Sequence, residues 1–316
     1  MPFPSDEKIM ALSKDLLAAF DAIFGLHPGF RPVHAKGVMV AGTFTPAPDA
    51  RSLTRAPHAT RPSTPVLVRF SNSTGIPVMP DNDPMASPHG MAIRFQLGEH
   101  VHTDIIAHSK NGFPVRTGPE FLEFLRAIAA TAGSKASPTP VEAFVGGRPA
   151  ALAFVSPQPT PSSLVRENYF GITAMRFIDK DGIRRYGRYR IVPDGGVDYL
   201  GDAATAARGP NFLFDELPKR LAAGPVGFQV QVQVANEGDV IDDATKIWPD
   251  DRRMVTLGKL ALTSLVPDDA HEQKTIIFDP IPRVDGIEPS DDPLLELRAA
   301  VYLLSGRRRR AAPETK

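Results

Sequence analysis

Two groups of residues in this sequence have the types and spacing to do chemistry. The first is Pro32-Val33-His34-Ala35-Lys36-Gly37, which sets one imidazole between a rigid proline turn and a segment, Gly37 to Phe44, that reads as a strand. An imidazole titrates near neutrality and moves protons, so His34 is read as the reactive residue, with a hydrogen-bonded core histidine as the alternative. The second group is Arg298 and Tyr302, four residues apart on a helical pattern and therefore on one face of it. A phenol with an ordinary pKa of about 10 ionises at neutral pH only beside a cation or a metal. Tyr302 over a ferric ion, with Arg298 beside its oxygen, meets that condition. A buried tyrosine donating one hydrogen bond, next to an arginine paired with some other acid, satisfies the same spacing.

These groups need elements to hold them. Apolar residues from Ile9 to Phe24 recur at helical spacing before Gly25, which predicts an amphipathic helix over Ser5 to Phe24. Val66 to Ser71, Met91 to Phe95 and Asp104 to Ala107 read as antiparallel strands, followed by helices over Pro119 to Gly133 and Pro140 to Val145. Strands are expected again at Tyr169 to Ile178 and Arg184 to Val192, joined by a turn at Asp181-Gly182. Further strands are expected at Phe228 to Val234, Val255 to Leu265 and Lys274 to Phe278. A last helix, Asp292 to Ser305, starts with an aspartate cap and a proline.

The fold class expected is mainly β with inserted helices (α+β), with about eight strands closed into an antiparallel barrel, since closure removes exposed edges. An open α+β sheet is the other architecture. The chain is read as one domain over 1–316. It comprises an N-terminal helix (1–25), a barrel with helical insertions (26–280), and a C-terminal helix with a basic tail (281–316).

Composition removes several function classes. Lys plus Arg and Asp plus Glu both number 36, so no net field favours a nucleic acid or an anionic membrane. The absence of cysteine excludes disulfides, thiolate metal sites and thiol nucleophiles, so a metal must take O or N ligands. The longest uncharged stretch, Pro149 to Val165, holds four prolines and cannot form a membrane helix. With no basic-then-apolar leader at the N-terminus, a cytoplasmic protein is expected.

Several segments occur in a telling order: Pro32 to Gly37, Val68-Arg-Phe-Ser71, His89-Gly-Met-Ala-Ile-Arg-Phe95, Asp243-Ala-Thr-Lys-Ile-Trp-Pro249, Phe278-Asp-Pro280, and Gly286 to Asp292 followed by Arg298-x-x-x-Tyr302. In this order they resemble the haem catalases, over most of residues 25 to 309, and in particular the minimal catalase-related peroxidase branch. The resemblance implies haem b inside the barrel, Tyr302 as the iron ligand, and Arg298 stabilising its phenolate. It places His34 on the distal side with Ser71 orienting it, Arg31, Arg69 and Arg309 on the haem propionates, and Val33 and Phe113 against the porphyrin. By its residue types alone, the run Arg307 to Arg310 reads instead as a solvated tail.

One departure matters. Where the family has Asp-apolar-apolar-Gly followed by a distal asparagine, this chain has Asp104-Ile-Ile-Ala-His108-Ser-Lys-Asn111, so either His108 or a shifted Asn111 stands there. The chain also ends 14 residues after Tyr302, which predicts a more open pocket than that of large catalases. The expected function is reduction of hydrogen peroxide or organic hydroperoxides by a small organic electron donor, with weak catalase activity and His34 as proton carrier. The other functions considered are a fatty-acid hydroperoxide isomerase and a haem-binding or haem-sensing barrel without turnover. Homodimer formation is left open, and neither nucleic acid nor membrane is expected as a partner.

Overall fold

Apolar alternation, strict in Val226–Val234 and looser elsewhere, favours the strands, and in the computed structural model, which describes residues 3–313, ten of them form one curved antiparallel sheet, while Thr160–Pro161 and Tyr199–Leu200 pair apart from it. In chain order the ten are β1 (Gly37–Pro46), β2 (Thr64–Ser71), β3 (Gly90–Gly98), β4 (Val101–His108), β5 (Tyr169–Phe170), β6 (Met175–Ile178), β7 (Arg184–Pro193), β8 (Val226–Val234), β9 (Met254–Leu265) and β10 (Ile287–Pro289). The sheet closes in the order β1-β2-β3-β4-β5-β7-β8-β9 and back to β1, an eight-stranded barrel; β6 continues along β7 and carries β10.

The lumen is solid. Phe70 meets Tyr169 and Phe228 at ring-centroid distances of 5.9 and 6.1 Å, and Phe44 meets Phe95 edge-on at 5.1 Å. Val40, Val68, Ile93, Ile191, Val230 and Leu257 fill the remainder with no exposed surface. A cofactor inside the barrel, as expected from the resemblance, is therefore corrected: large aromatic side chains occupy that space, and the open volume lies outside it.

The other face of β1 to β4 is covered by helices. Asp6 caps α1 (Glu7–Phe24) through its Oδ1, which accepts from the Lys8 amide at 2.7 Å. A reciprocal capping box of Thr117 and Glu120 starts α2 (Gly118–Thr131), and α3 (Pro140–Val145) and α4 (Pro149–Val155) follow. α5 (Phe212–Ala223) sends Leu213, Leu217 and Leu221 into the core, α6 (Asp269–Thr275) is short, and α7 (Leu294–Ala311) closes the fold. The Asp292 carboxylate accepts the Leu294 amide at 2.9 Å at the start of α7. Leu16, Leu17 and Phe20 of α1 pack on Leu122 and Leu125 of α2 and on Leu297 and Val301 of α7.

Several elements differ from the expectations. The Tyr169 to Ile178 strand is two short strands with a break at Gly171. The expected strand from Lys274 to Phe278 begins instead as the end of α6, and Ile276 to Phe278 run on outside the sheet ladder. Their carbonyls are taken by arginines rather than by a strand, Arg31 and Arg309 on Ile276 and Arg94 on Ile277. α4 and α5 are additional helices; Pro149 starts the first, and Pro218 inside the second interrupts its pattern. Arg307 to Arg310 form the last turns of α7 and not a solvated tail, with Arg309 3% exposed. Among the described residues no helix is long and apolar enough to cross a membrane.

Because Phe228 has no exposed surface and touches aromatic rings across the lumen, Phe228→Ala is expected to cost about 3–5 kcal/mol. Urea denaturation of the variant checks this, and an unchanged midpoint would show that the lumen is not tightly packed.

Candidate active site

The register of the first four strands places the site. Gly37, Ser71, Gly90 and His108 are successive cross-strand partners, and Met39, Arg69, Ala92 and Ile106 make the next row on the same outer face. Alternation turns Val68 and Phe70 into the lumen, so Arg69 and Ser71 must face the helices. Two of the positions are glycine for a steric reason. A Cβ on Gly90 would lie 2.6 Å from Ser71 Oγ and 3.0 Å from His34 Nδ1, and one on Gly37 would lie 2.2 Å from Arg69 Nη2.

His34 enters this row from the loop before β1. Its φ is +59°, a left-handed conformation uncommon outside glycine. Neighbouring bonds hold it there: the His34 amide donates to Ser73 O at 2.9 Å, the Ala35 amide to Thr74 O at 2.8 Å, and Arg69 Nη2 to His34 O at 2.9 Å. Nδ1 lies 3.1 Å from Ser71 Oγ. Burial, reinforced by the positive charge of Arg69, lowers the imidazole to about 3, so it is neutral at physiological pH. The loop is tied below by Lys36, whose ammonium donates to Asp81 Oδ1 and Asn211 Oδ1, both at 2.7 Å, while Asp81 Oδ2 accepts the Leu213 amide.

His108 ends β4 in the same row. Its Nδ1 accepts the Lys110 amide at 3.2 Å, which puts the proton on Nε2, a buried N–H without a partner among the described residues. Burial, with His34 and Arg298 nearby, lowers this ring also to about 3.

Opposite the sheet, α7 presents Arg298, Tyr302, Ser305 and Arg309 as one stripe at spacings of four, three and four. Arg298 donates to Tyr302 Oη through Nη2 at 3.3 Å and Nε at 3.4 Å. At the far end Arg31, Arg69 and Arg309 converge. Burial pushes Arg69 down to about 9 and Arg309 to about 10, and Arg31 well below its ordinary value, with Arg69 and Arg309 adding to the effect. The carboxylate that acts on Arg31 and Arg69 is that of Asp269, already engaged by the Met39 amide and Gln273 Nε2. Arg309 Nε has no partner among the described residues.

All ten candidate residues, Arg31, Val33, His34, Arg69, Ser71, His108, Phe113, Arg298, Tyr302 and Arg309, line one cavity of about 320 Å³ between sheet and helices. Asn111 does not; it lines a second, smaller cavity, so of the two only His108 reaches the main one. Sequence reasoning missed Leu16, Phe20 and Phe24 of α1, Phe121 and Ile128 of α2, and Phe154 of α4 as walls. It also missed Gln273, which links Arg69 to Gly37 O and Asp269. The 298-302-305-309 spacing was the signal that could have joined Arg309 to Tyr302.

His58 is buried and His34 and His108 partly so, and desolvation lowers all three, to about 4, 3 and 3. Between these values and the ordinary 6.5 the unfolded chain binds more protons, so stability is full above pH 6.5 and falls as pH drops toward 4. The expected loss is about 2 kcal/mol per histidine by pH 5. Denaturant midpoints across pH 5–7.5 check this, and His58→Phe is expected to remove one proton from the dependence.

A family model described as Catalase matches residues 29–315. A catalase-related peroxidase of Mycolicibacterium paratuberculosis is 35% identical over 91% of this chain and 92% of its own length. A catalase-related peroxidase of Synechococcus elongatus is 34% identical over 92% and 86%. Among solved structures, a bacterial catalase superposes with a TM-score of 0.76 at 23% identity over 97% of this chain. A fungal catalase gives 0.77 at 21% identity over 93%. This chain spans 62% of the length of each of those two structures.

Proposed function

The chain belongs to the catalase family, and we propose that it acts as a haem-dependent peroxidase that reduces hydrogen peroxide or organic hydroperoxides with a small organic donor and has weak catalase activity. The observation that carries this reading is the pairing, across one apolar cavity, of the Tyr302–Arg298 contact with the His34–Ser71 contact, with three arginines at one end.

The residues fit a haem. Three guanidiniums, those of Arg69 and Arg309 buried and that of Arg31 partly so, press on one another, and Arg309 Nε has no partner among the described residues; such a cluster suits two carboxylates held at that end. Tyr302 Oη would ligate the iron with Arg298 stabilising its phenolate form, and Val33 and Phe113 would pack on the ring, here taken as haem b. When bound, haem supplies the ferric centre at which a hydroperoxide is held and its O–O bond cleaved. Ser71 Oγ accepts His34 Nδ1–H in this reading, which leaves the Nε2 lone pair free to take the proton from the inner oxygen and return it to the outer one. A ring kept neutral by burial is in the form that accepts a proton. His108 Nε2–H is the second donor on that side. The cavity draws on α1, the barrel strands and α7 together, so the chain is taken as a single haem-binding domain.

Tyr302→Phe offers iron no ligand and is expected to lose the haem absorbance band of the purified protein. Full occupancy with an unchanged spectrum would sink the assignment. His34→Ala is expected to keep haem and lose about 10²–10⁴-fold in peroxide cleavage. A wild-type rate in stopped flow would remove His34 from the mechanism. Wild-type protein should oxidise small aromatic donors faster than it releases oxygen. His108→Asn is expected to shift that ratio roughly tenfold toward oxygen, a difference of about 1.4 kcal/mol in relative barriers, measured by an oxygen electrode beside donor oxidation.

A further inference from the structure

Beside the main cavity lies a second one of about 120 Å³, lined in part by Lys110, Asn111, Phe113, Phe154, Gln158 and Thr245. Phe113 and Phe154 line both cavities, with ring centroids 5.8 Å apart and planes at 66°. A cavity of about 150 Å³ holds one whole benzene ring, so this smaller space takes most of an aromatic ring, and its exposed rim at Ala153 and Ile247 leaves the remainder of a ligand in solvent.

Its polar end is a cation. Lys110 is 8% exposed, and its ammonium donates to the carbonyl oxygens of Phe154 and Ser156 at the end of α4. An ammonium has three donors, so one remains beyond those two contacts. Among the described residues no carboxylate pairs with it, and burial lowers it to about 8, which leaves it mostly charged at neutral pH. A buried cation held by two carbonyls and by the Phe154 ring face, 5.4 Å from the ammonium, still gains from an anion of its own. Gln158 adds amide donors, since its Oε1 is the atom that accepts from Ser87.

We propose that this second cavity binds the reducing substrate, and that the substrate is a small phenolic carboxylic acid whose carboxylate pairs with Lys110 while its ring rests against Phe113 and Phe154. The proposal rests on the peroxidase reading above. One hydroperoxide and two donors give ROOH + 2 ArOH → ROH + H₂O + 2 ArO•. Each phenol loses one electron and one proton, the O–O bond breaks, and the two protons end on the two oxygens. The shared wall of Phe113 and Phe154 keeps the donor beside the main cavity without entry to it. A neutral phenol would fit the ring space but leave the ammonium unpaired.

Benzoate, which has the ring and the charge but no phenol to oxidise, is the probe. Calorimetric titration of the purified full-length protein is expected to give saturable benzoate binding, at least about tenfold weaker in Lys110→Met and restored in Lys110→Arg. Benzyl alcohol and inorganic phosphate are each expected to bind at least about tenfold more weakly than benzoate. The KM for 4-hydroxybenzoate as donor should rise in Lys110→Met by the same factor as the benzoate dissociation constant. Should Lys110→Met fail to fold, Ala153→Trp, at an exposed lining position, fills the ring space without touching the lysine's carbonyl contacts and should weaken benzoate binding equally. Benzoate binding unaffected by these substitutions, or matched by phosphate, overturns the proposal. Lys110-dependent benzoate binding in a protein that oxidises no donor also overturns the donor assignment, and locates the failure in the peroxidase reading rather than in the site.

Discussion

The contact on which the rest depends is that of Arg69 with the His34 loop. Its guanidinium donates to the carbonyls of His34 and Ala35 and to Gln273 Oε1, joining β2, the loop before β1 and α6 in one knot. The knot holds His34 in a left-handed backbone conformation of the kind that costs about 1–3 kcal/mol and persists only where surrounding structure over-determines it. Arg69 is also one of three cations crowded together. The same charge that fixes the imidazole thus makes one end of the cavity receptive to carboxylates, and helps keep the imidazole neutral.

A solid lumen makes this arrangement rigid. Phe44, Phe70, Phe95, Tyr169 and Phe228 leave the sheet no room to flex inward, so the outer row Gly37, Ser71, Gly90 and His108 acts as a fixed plate. The helices are the complementary wall. α1 packs on α7 through apolar contacts and is pinned by Arg308, which donates to both carboxylate oxygens of Asp21 at 2.6 and 3.0 Å. A site built on rigid elements keeps acid–base groups near the geometry that proton transfer needs.

The edge of the plate beyond His108 is where this chain departs from the pattern of the large catalases. His108 lines the main cavity, and two residues on, Lys110 lines a separate small space. Two phenylalanines separate the two spaces. In the function proposed above, this division keeps the electron donor apart from the peroxide.

Much of this was legible in the sequence. Periodicities of two and near 3.6 located the barrel strands from Gly37 to Val234, the helices α1, α2 and α3, and the strand at Met254–Leu265, because those patterns reflect local backbone geometry. Motif order singled out His34, Ser71, Arg298 and Tyr302 because their residue types carry specific chemistry. Tertiary structure decided the rest, for long-range reasons. Ile276 to Phe278 had strand composition, yet arginine side chains took carbonyls that a neighbouring strand would otherwise have used. By residue type alone Arg309 belonged to a charged run, although the resemblance set it among the propionate arginines, and its burial follows only from the packing of α7. Which of His108 and Asn111 reaches the main cavity, the placement of that cavity outside the barrel, and the absence among the described residues of a carboxylate on the Lys110 ammonium all depend on cross-strand register and on which face helices cover. Residues far apart in the chain set both, and no local pattern records them.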